Sequence, residues 1–71
     1  MKEEIKEIID YYSKQRNPQE QENIVAMLRE IQEAEGCITM NVQEEAAKAL
    51  GVKQTVLSCI IKRYPSLKEA A

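Results

Sequence analysis

The sequence contains no histidine, tryptophan or phenylalanine, and only two cysteines, two glycines and two prolines in 71 residues. Histidine is the usual general base near neutral pH and a common metal ligand, so its absence removes both roles. A chain of this length also has little volume in which to enclose a substrate pocket. The sequence therefore does not predict a domain that is catalytic alone.

The two cysteines, Cys37 and Cys59, lie far apart and show no C-x-x-C spacing. Metal and iron–sulfur sites need several thiolates at short, regular spacing, so neither cysteine is predicted to be a ligand. Cys59 lies between the apolar residues Leu57 and Ile60, which predicts a small buried or half-buried thiol. Cys37 follows a helix-ending glycine and is predicted to be a packing residue too.

The sequence also shows no signal peptide, no disulfide framework and no apolar run long enough to span a bilayer. These features indicate a reducing compartment, and we expect a cytoplasmic protein without membrane insertion. Residues 1–71 are expected to form a single small helical domain, because a chain of this length makes one domain.

Apolar residues recur at helical spacing, and no alternating pattern indicates a strand, so the predicted fold is all-α with four helices. The first helix is predicted over Met1 to Lys14. Its apolar stripe is Ile5, Ile8, Ile9 and Tyr12. The second is predicted from about Gln19 to Glu35, with Asn17 as its cap, Pro18 at the first helical position and Gly36 as its stop.

The segment from Asn41 to Tyr64 predicts a helix-turn-helix in the C-terminal half. Asn41 is the predicted cap of the third helix, and Glu44 is its capping-box partner. Gly51 stands where that helix must end in a left-handed turn, and Val52 is expected to fill the angle between the helices. Pro65 is expected to end the fourth helix at Tyr64. Residues 66–71 are predicted to be a tail with at most one loose turn.

The net charge of −2 conceals an uneven distribution. Residues 1–45 contain eleven acids and five bases, whereas residues 46–71 contain five bases and one acid, giving −6 and +4. A basic C-terminal half indicates a surface that could meet phosphate or an acidic protein, although a solvated helical surface has the same composition.

One interpretation is a DNA-binding helix-turn-helix, in which the second helix enters the major groove. The early and outward positions of that helix carry side chains that can contact bases or phosphate: Lys53, Gln54, Thr55, Ser58 and Lys62. The three tyrosines could form a stacking platform, but Tyr12 and Tyr64 fall on apolar stripes and are predicted to lie at the edge of the core.

A longer resemblance begins near Ile24, through the stretches NIVAMLREIQEAEGCI, EEAAKALGV and LSCIIKRYPSL. These resemble the N-terminal helical region of the small thioredoxin-fold [2Fe-2S] subunit of NADH-oxidising complexes. That family includes the corresponding subunit of respiratory complex I and the gamma-type subunits of NAD-linked hydrogenases and formate dehydrogenases. The matching positions are Ile31, Gln32, Glu33, Gly36, Ile38, Leu50, Gly51, Val52, Leu57 and Tyr64.

The resemblance implies a docking role, in which the helices help to seat the cluster subunit against a flavoprotein subunit. It places the [2Fe-2S] cluster in a C-terminal thioredoxin-like domain with four cysteines, so that no cofactor is expected in this chain. Cys37 replaces a family tyrosine, and Lys62 and Arg63 replace Thr-Phe. The resemblance therefore implies either the helical part of a longer protein or a relative without the redox domain. The apolar or basic surface around Ile61 to Leu67 is the predicted docking surface.

Overall fold

Apolar residues at helical spacing produce four α-helices in the computed structural model, which describes residues 2–70. The helices are α1 (Glu3–Ser13), α2 (Gln21–Glu35), α3 (Met40–Leu50) and α4 (Gln54–Arg63). The predicted all-α fold is confirmed, and the only β feature in the described residues is one isolated bridge. The predicted start of the first helix at Met1 lies outside them. No helix within residues 2–70 is both long and apolar enough to cross a membrane.

The core is formed where α1 packs against α2 and α3, and α4 packs against α3 and α2. Every helix contributes fully buried side chains, and the largest apolar ones on the helices are Ile5, Ile24, Met27, Leu28, Ile31 and Leu57. Removing a side chain of this size from water contributes about 1.5–3 kcal/mol. Tyr12 and Tyr64 are half-buried against this core, so their predicted position at its edge is confirmed.

Both glycines take the left-handed conformation that ends a helix, with φ of 90° at Gly36 and 75° at Gly51. After α3, the Val52 N–H donates to the Ala47 carbonyl at 3.0 Å, as in a Schellman turn. Val52 is half-buried against the core. The predicted corner between α3 and α4 is therefore confirmed.

The predicted cap of α3 is wrong. Thr39 is the N-cap, and its Oγ1 accepts a hydrogen bond from the Val42 N–H at 3.2 Å. Asn41 lies exposed in the first turn, so the capping box with Glu44 does not form. With the earlier start, the Thr39 hydroxyl satisfies a first-turn N–H that has no partner within the helix.

The predicted start of α2 is also wrong. The helix begins at Gln21 after Glu20, and Asn17 does not cap it. Instead the Asn17 carbonyl accepts from the Glu20 N–H at 3.1 Å and from the Asn23 side chain at 2.8 Å. These bonds close a turn around Pro18, so the chain reverses before the helix starts.

The segment after Pro65 is not the loose tail that the sequence predicts. Leu67 is buried in the core, and the main chain then pairs with Ile38. The Ile38 N–H donates to the Lys68 carbonyl, and the Ala70 N–H donates to the Ile38 carbonyl, both at 2.9 Å. The prediction is wrong for residues 66–70 because one apolar side chain and two main-chain bonds fix them, while residue 71 lies outside the described residues.

Candidate functional site: the helix-turn-helix and the C-terminal tail

Gln32 of α2 holds the C-terminal tail (residues 65–70) by its side-chain amide. Its Nε2 donates to the Ser66 carbonyl at 2.7 Å, and its Oε1 accepts from the Lys68 N–H. The amide therefore satisfies the main chain on both sides of Leu67, as a neighbouring strand would. The tail is fixed to α2 while Leu67 enters the core.

A polar network joins the tail to both helices of the helix-turn-helix. Gln43 of α3 is fully buried, and its Nε2 donates to Glu69 Oε2 at 2.6 Å. Its Oε1 accepts from Gln54 Nε2 of α4 at 2.7 Å. The Ser58 hydroxyl also donates to Glu69 Oε2, at 3.4 Å. Because both atoms of the buried amide have partners, the network stabilises one arrangement of α3, α4 and the tail.

This network separates the five residues that the sequence predicts as DNA contacts. Gln54 and Ser58 are half-buried and bonded inside the molecule, and the Glu69 carboxylate lies beside them. Lys53, Thr55 and Lys62 are exposed. The structure therefore leaves three of the five side chains on a free surface, with an acidic group next to the other two.

The sequence predicts that the docking surface around Ile61 to Leu67 is apolar or basic. The structure exposes its basic side chains, and the apolar alternative is wrong for Ile61 and Leu67, which are buried. Ile61 and Leu67 are only 4% and 6% exposed, because the tail folds back onto the core. The exposed cations are Lys62 and Arg63 in the last turn of α4 and Lys68 in the tail. We call Lys62, Arg63 and Lys68 the basic surface.

Two glutamines, Gln19 just before α2 and Gln21 at its first position, contact the helix-turn-helix, which the sequence does not predict. Gln19 Nε2 donates to the Leu50 and Gly51 carbonyls at 3.1 and 3.4 Å. Gln21 Nε2 donates to the Tyr64 hydroxyl at 2.8 Å. The start of α2 therefore contacts both the corner and the end of α4. Glutamines in a polar stretch carry no sequence signal of such contacts.

Cys59 is exposed, so its predicted burial is wrong. Leu57 and Ile60 face the core, and the turn of the helix carries the residue between them outwards. Cys59 lies in a shallow groove with Val56 and Arg63. Cys37 is half-buried in the link between α2 and α3. Within residues 2–70, no three or more His, Cys, Asp or Glu side chains are grouped to hold a metal ion.

Tyr12 links α1 to α2, since its hydroxyl donates to the Glu30 carboxylate. This hydrogen bond, together with burial and the nearby negative charge, raises the pKa of Tyr12 to about 12. The neighbouring Tyr11 ring meets the Tyr12 ring edge-on, with centroids 5.2 Å apart and planes at 86°. Two helices are thus joined at a point where one aromatic ring is half-buried and the other is exposed.

A comparison with protein families finds a match over residues 3–70 to the family described as thioredoxin-like [2Fe-2S] ferredoxin. No curated protein and no solved structure matches the chain. The family match spans all four helices and the tail. It therefore includes Gln32, Gln43 and Glu69, which make the contacts to the tail described above.

Proposed function

The chain belongs to the thioredoxin-like [2Fe-2S] ferredoxin family, and we propose that it is the helical docking region of a redox subunit in an NADH-linked oxidoreductase or hydrogenase complex. Family membership supports a role in electron transport. In the finer proposal, these helices seat a cluster-bearing subunit against its flavoprotein partner and carry out no chemistry themselves. The observation that carries the proposal is the extent of the match, which covers the whole helical scaffold.

The residues of this chain do not fit the family's cluster. A [2Fe-2S] centre of the ferredoxin type takes four thiolates, and this sequence has two cysteines, one in a link and one on α4. We therefore assign no cluster to it and expect no stoichiometric iron after reconstitution of the purified chain. Cluster absorption with matching iron content would contradict this assignment.

We place the docking contact on the basic surface. Lys62 and Arg63 are exposed in the last turn of α4, and Lys68 is exposed on a tail that Gln32 holds in place. A surface fixed in this way presents its charges with little loss of chain entropy on binding. The partner that it fits is an acidic protein face, and the attraction is expected to weaken with salt.

The test is to purify the tagged chain from the cell that encodes it and to assay the eluate for flavin and for NADH-dependent ferricyanide reduction. We expect both to co-purify with the wild-type chain. The variant Lys62→Glu with Arg63→Glu is expected to lose most of this activity. Lys6→Glu with Arg16→Glu changes the net charge by the same amount at exposed positions outside the basic surface, and this variant should retain the activity. Wild-type eluate without flavin or NADH oxidation would overturn the proposal.

DNA binding is the second candidate, because Lys53 and Thr55 are exposed beside the corner of the helix-turn-helix and Lys62 is exposed in the last turn of α4. It predicts duplex binding that falls with salt, with a logarithmic slope of about −0.9 for each phosphate neutralised. Thr55→Ala should alter sequence preference, and Lys62→Ala should weaken binding to all duplexes. If a random duplex pool shows no binding at low salt, this candidate is eliminated.

A further inference from the structure

A groove between α1 and α2 takes no part in either function proposed above. It has a volume of about 550 Å³ and is lined by Glu4, Glu7, Ile8, Tyr11, Glu30, Glu33 and Ala34. We call it the acidic groove. Its lining comes from residues spaced three or four apart on each helix, so it follows the line along which α1 and α2 pack.

The floor of the acidic groove is apolar. Ile8 and Ala34 are half-buried and pack against the core. Tyr11 is 61% exposed, which leaves most of a large aromatic side chain in water. The edge-on contact with Tyr12 orients the ring, and Tyr12 is itself bonded to Glu30. The floor thus offers an exposed aromatic ring beside two half-buried apolar side chains.

The rim of the acidic groove is negative on both sides. Glu4 and Glu7 stand on α1, and Glu30 and Glu33 stand on α2, with no base among the lining residues. In the described part of the chain, the side-chain ion pairs involve Glu35 and Asp10, not these four glutamates. Four carboxylates around an apolar floor repel one another, and cations placed along both edges would relieve that repulsion.

We infer that the acidic groove binds a basic amphipathic helix of a partner protein. Apolar side chains of that helix would contact Ile8, Tyr11 and Ala34, and lysines or arginines on its two flanks would reach the glutamates of α1 and α2. This pattern of a central apolar stripe between two basic edges is the complement of the acidic groove. The inference goes beyond the proposed function, because it concerns a different surface and a different partner. The basic surface fits an acidic protein, whereas the acidic groove fits a basic one.

The test uses a synthetic helical peptide of about 18 leucine and lysine residues, long enough to be helical when bound. The matched peptide has glutamate in place of every lysine. Binding to the full 71-residue chain is measured by fluorescence anisotropy and mapped by amide NMR shifts. We expect the lysine peptide to bind at low salt with shifts confined to α1 and α2, and the glutamate peptide not to bind.

Two pairs of variants distinguish the acidic groove from general attraction to an acidic chain. Glu7→Gln with Glu33→Gln should weaken binding about fivefold, the size expected for losing two exposed ion pairs. Glu22→Gln with Glu44→Gln removes the same charge at exposed positions outside the acidic groove and should change binding less than twofold. Tyr11→Ser should weaken it by a similar factor without loss of fold, because the side chain is exposed.

Several results would overturn the inference: no binding at low salt, equal losses from the two glutamine pairs, or shifts centred outside α1 and α2. Self-association that disappears in Glu7→Gln with Glu33→Gln would assign the acidic groove to a second copy of the chain and reject the partner helix. The variant Lys62→Glu with Arg63→Glu should bind the peptide like wild type, so failure here is distinct from failure of the redox docking proposal.

Discussion

Gln43 donates a 2.6 Å hydrogen bond from its buried amide to the carboxylate of Glu69, which joins α3 to the C-terminal tail. The same amide accepts from Gln54 of α4. The relationship explains how a short tail stays ordered after the last helix, and it makes the buried glutamine the centre of the C-terminal half.

Replacing Gln43 by alanine should destabilise the protein by about 2–3 kcal/mol, because the change leaves a cavity, removes the partner of Gln54 and leaves Glu69 with only the Ser58 hydroxyl. Urea unfolding followed by circular dichroism measures the effect. Gln15→Ala, at a residue whose amide bonds only within its own turn, is the control and should cost less than about 1 kcal/mol. A loss for Gln43→Ala as small as that of the control would mean that the buried network does not stabilise the fold.

Gln32→Ala should release the tail. The side chain supplies two hydrogen bonds to the main chain around Leu67, and these contribute about 0.5–1.5 kcal/mol each. We expect hydrogen exchange at the Ile38 and Ala70 amides to accelerate, since the Ile38 N–H donates to the tail and the Ala70 N–H of the tail donates to the Ile38 carbonyl.

Arg29→Ala, an exposed position on the same helix, is the control for the Gln32 variant and should leave the exchange of both amides unchanged. Unchanged protection at Ile38 in Gln32→Ala would show that burial of Leu67 alone holds the tail.

Thr39→Ala should cost about 1 kcal/mol, because it removes the only side-chain cap hydrogen bond found among the four described helices. Asn41→Ala should cost less, since Asn41 lies exposed inside the first turn. The two variants, compared by chemical denaturation, also decide between the cap that the structure shows and the one that the sequence predicts. A larger loss for Asn41→Ala would favour the latter.

The sequence suffices to predict the parts of the fold that rest on local rules. Leu57, Ile60 and Ile61 repeat at helical spacing, and Gly36 and Gly51 stand where a left-handed turn requires glycine. These features depend on a few neighbouring residues, so they can be found without knowing the tertiary structure.

The candidate site depends on contacts between residues far apart in the sequence, and these could not be predicted. Leu67 is the one large aliphatic residue of the tail and forms no periodic pattern. Gln43 did carry a signal, since it precedes Ala46, Ala47 and Leu50 at the spacing of their buried stripe. A polar residue at such a position indicates either an exposed edge or a buried network, and only the location of Glu69 decides between them.

Stability should fall as pH rises from about 10 to about 12 because of Tyr12. Its pKa is raised to about 12 in the folded protein, chiefly by the hydrogen bond to Glu30, whereas an unfolded tyrosine titrates near 10. Between these values the unfolded chain loses its proton first, so its free energy falls relative to that of the folded state. The contribution is complete below pH 10 and is lost as pH passes the folded pKa.

The measurement is the urea midpoint of wild type and Tyr12→Phe at a series of pH values from 8 to about 12. Lysines titrate in the same range in both proteins, so the difference between the two curves reports Tyr12. We expect wild type to lose stability more steeply than Tyr12→Phe above pH 10. Tyr11→Phe leaves the hydrogen bond from Tyr12 to Glu30 in place and should lose stability above pH 10 as steeply as wild type. Parallel curves for wild type and Tyr12→Phe would mean that the hydrogen bond to Glu30 does not raise the pKa of Tyr12 in the folded protein.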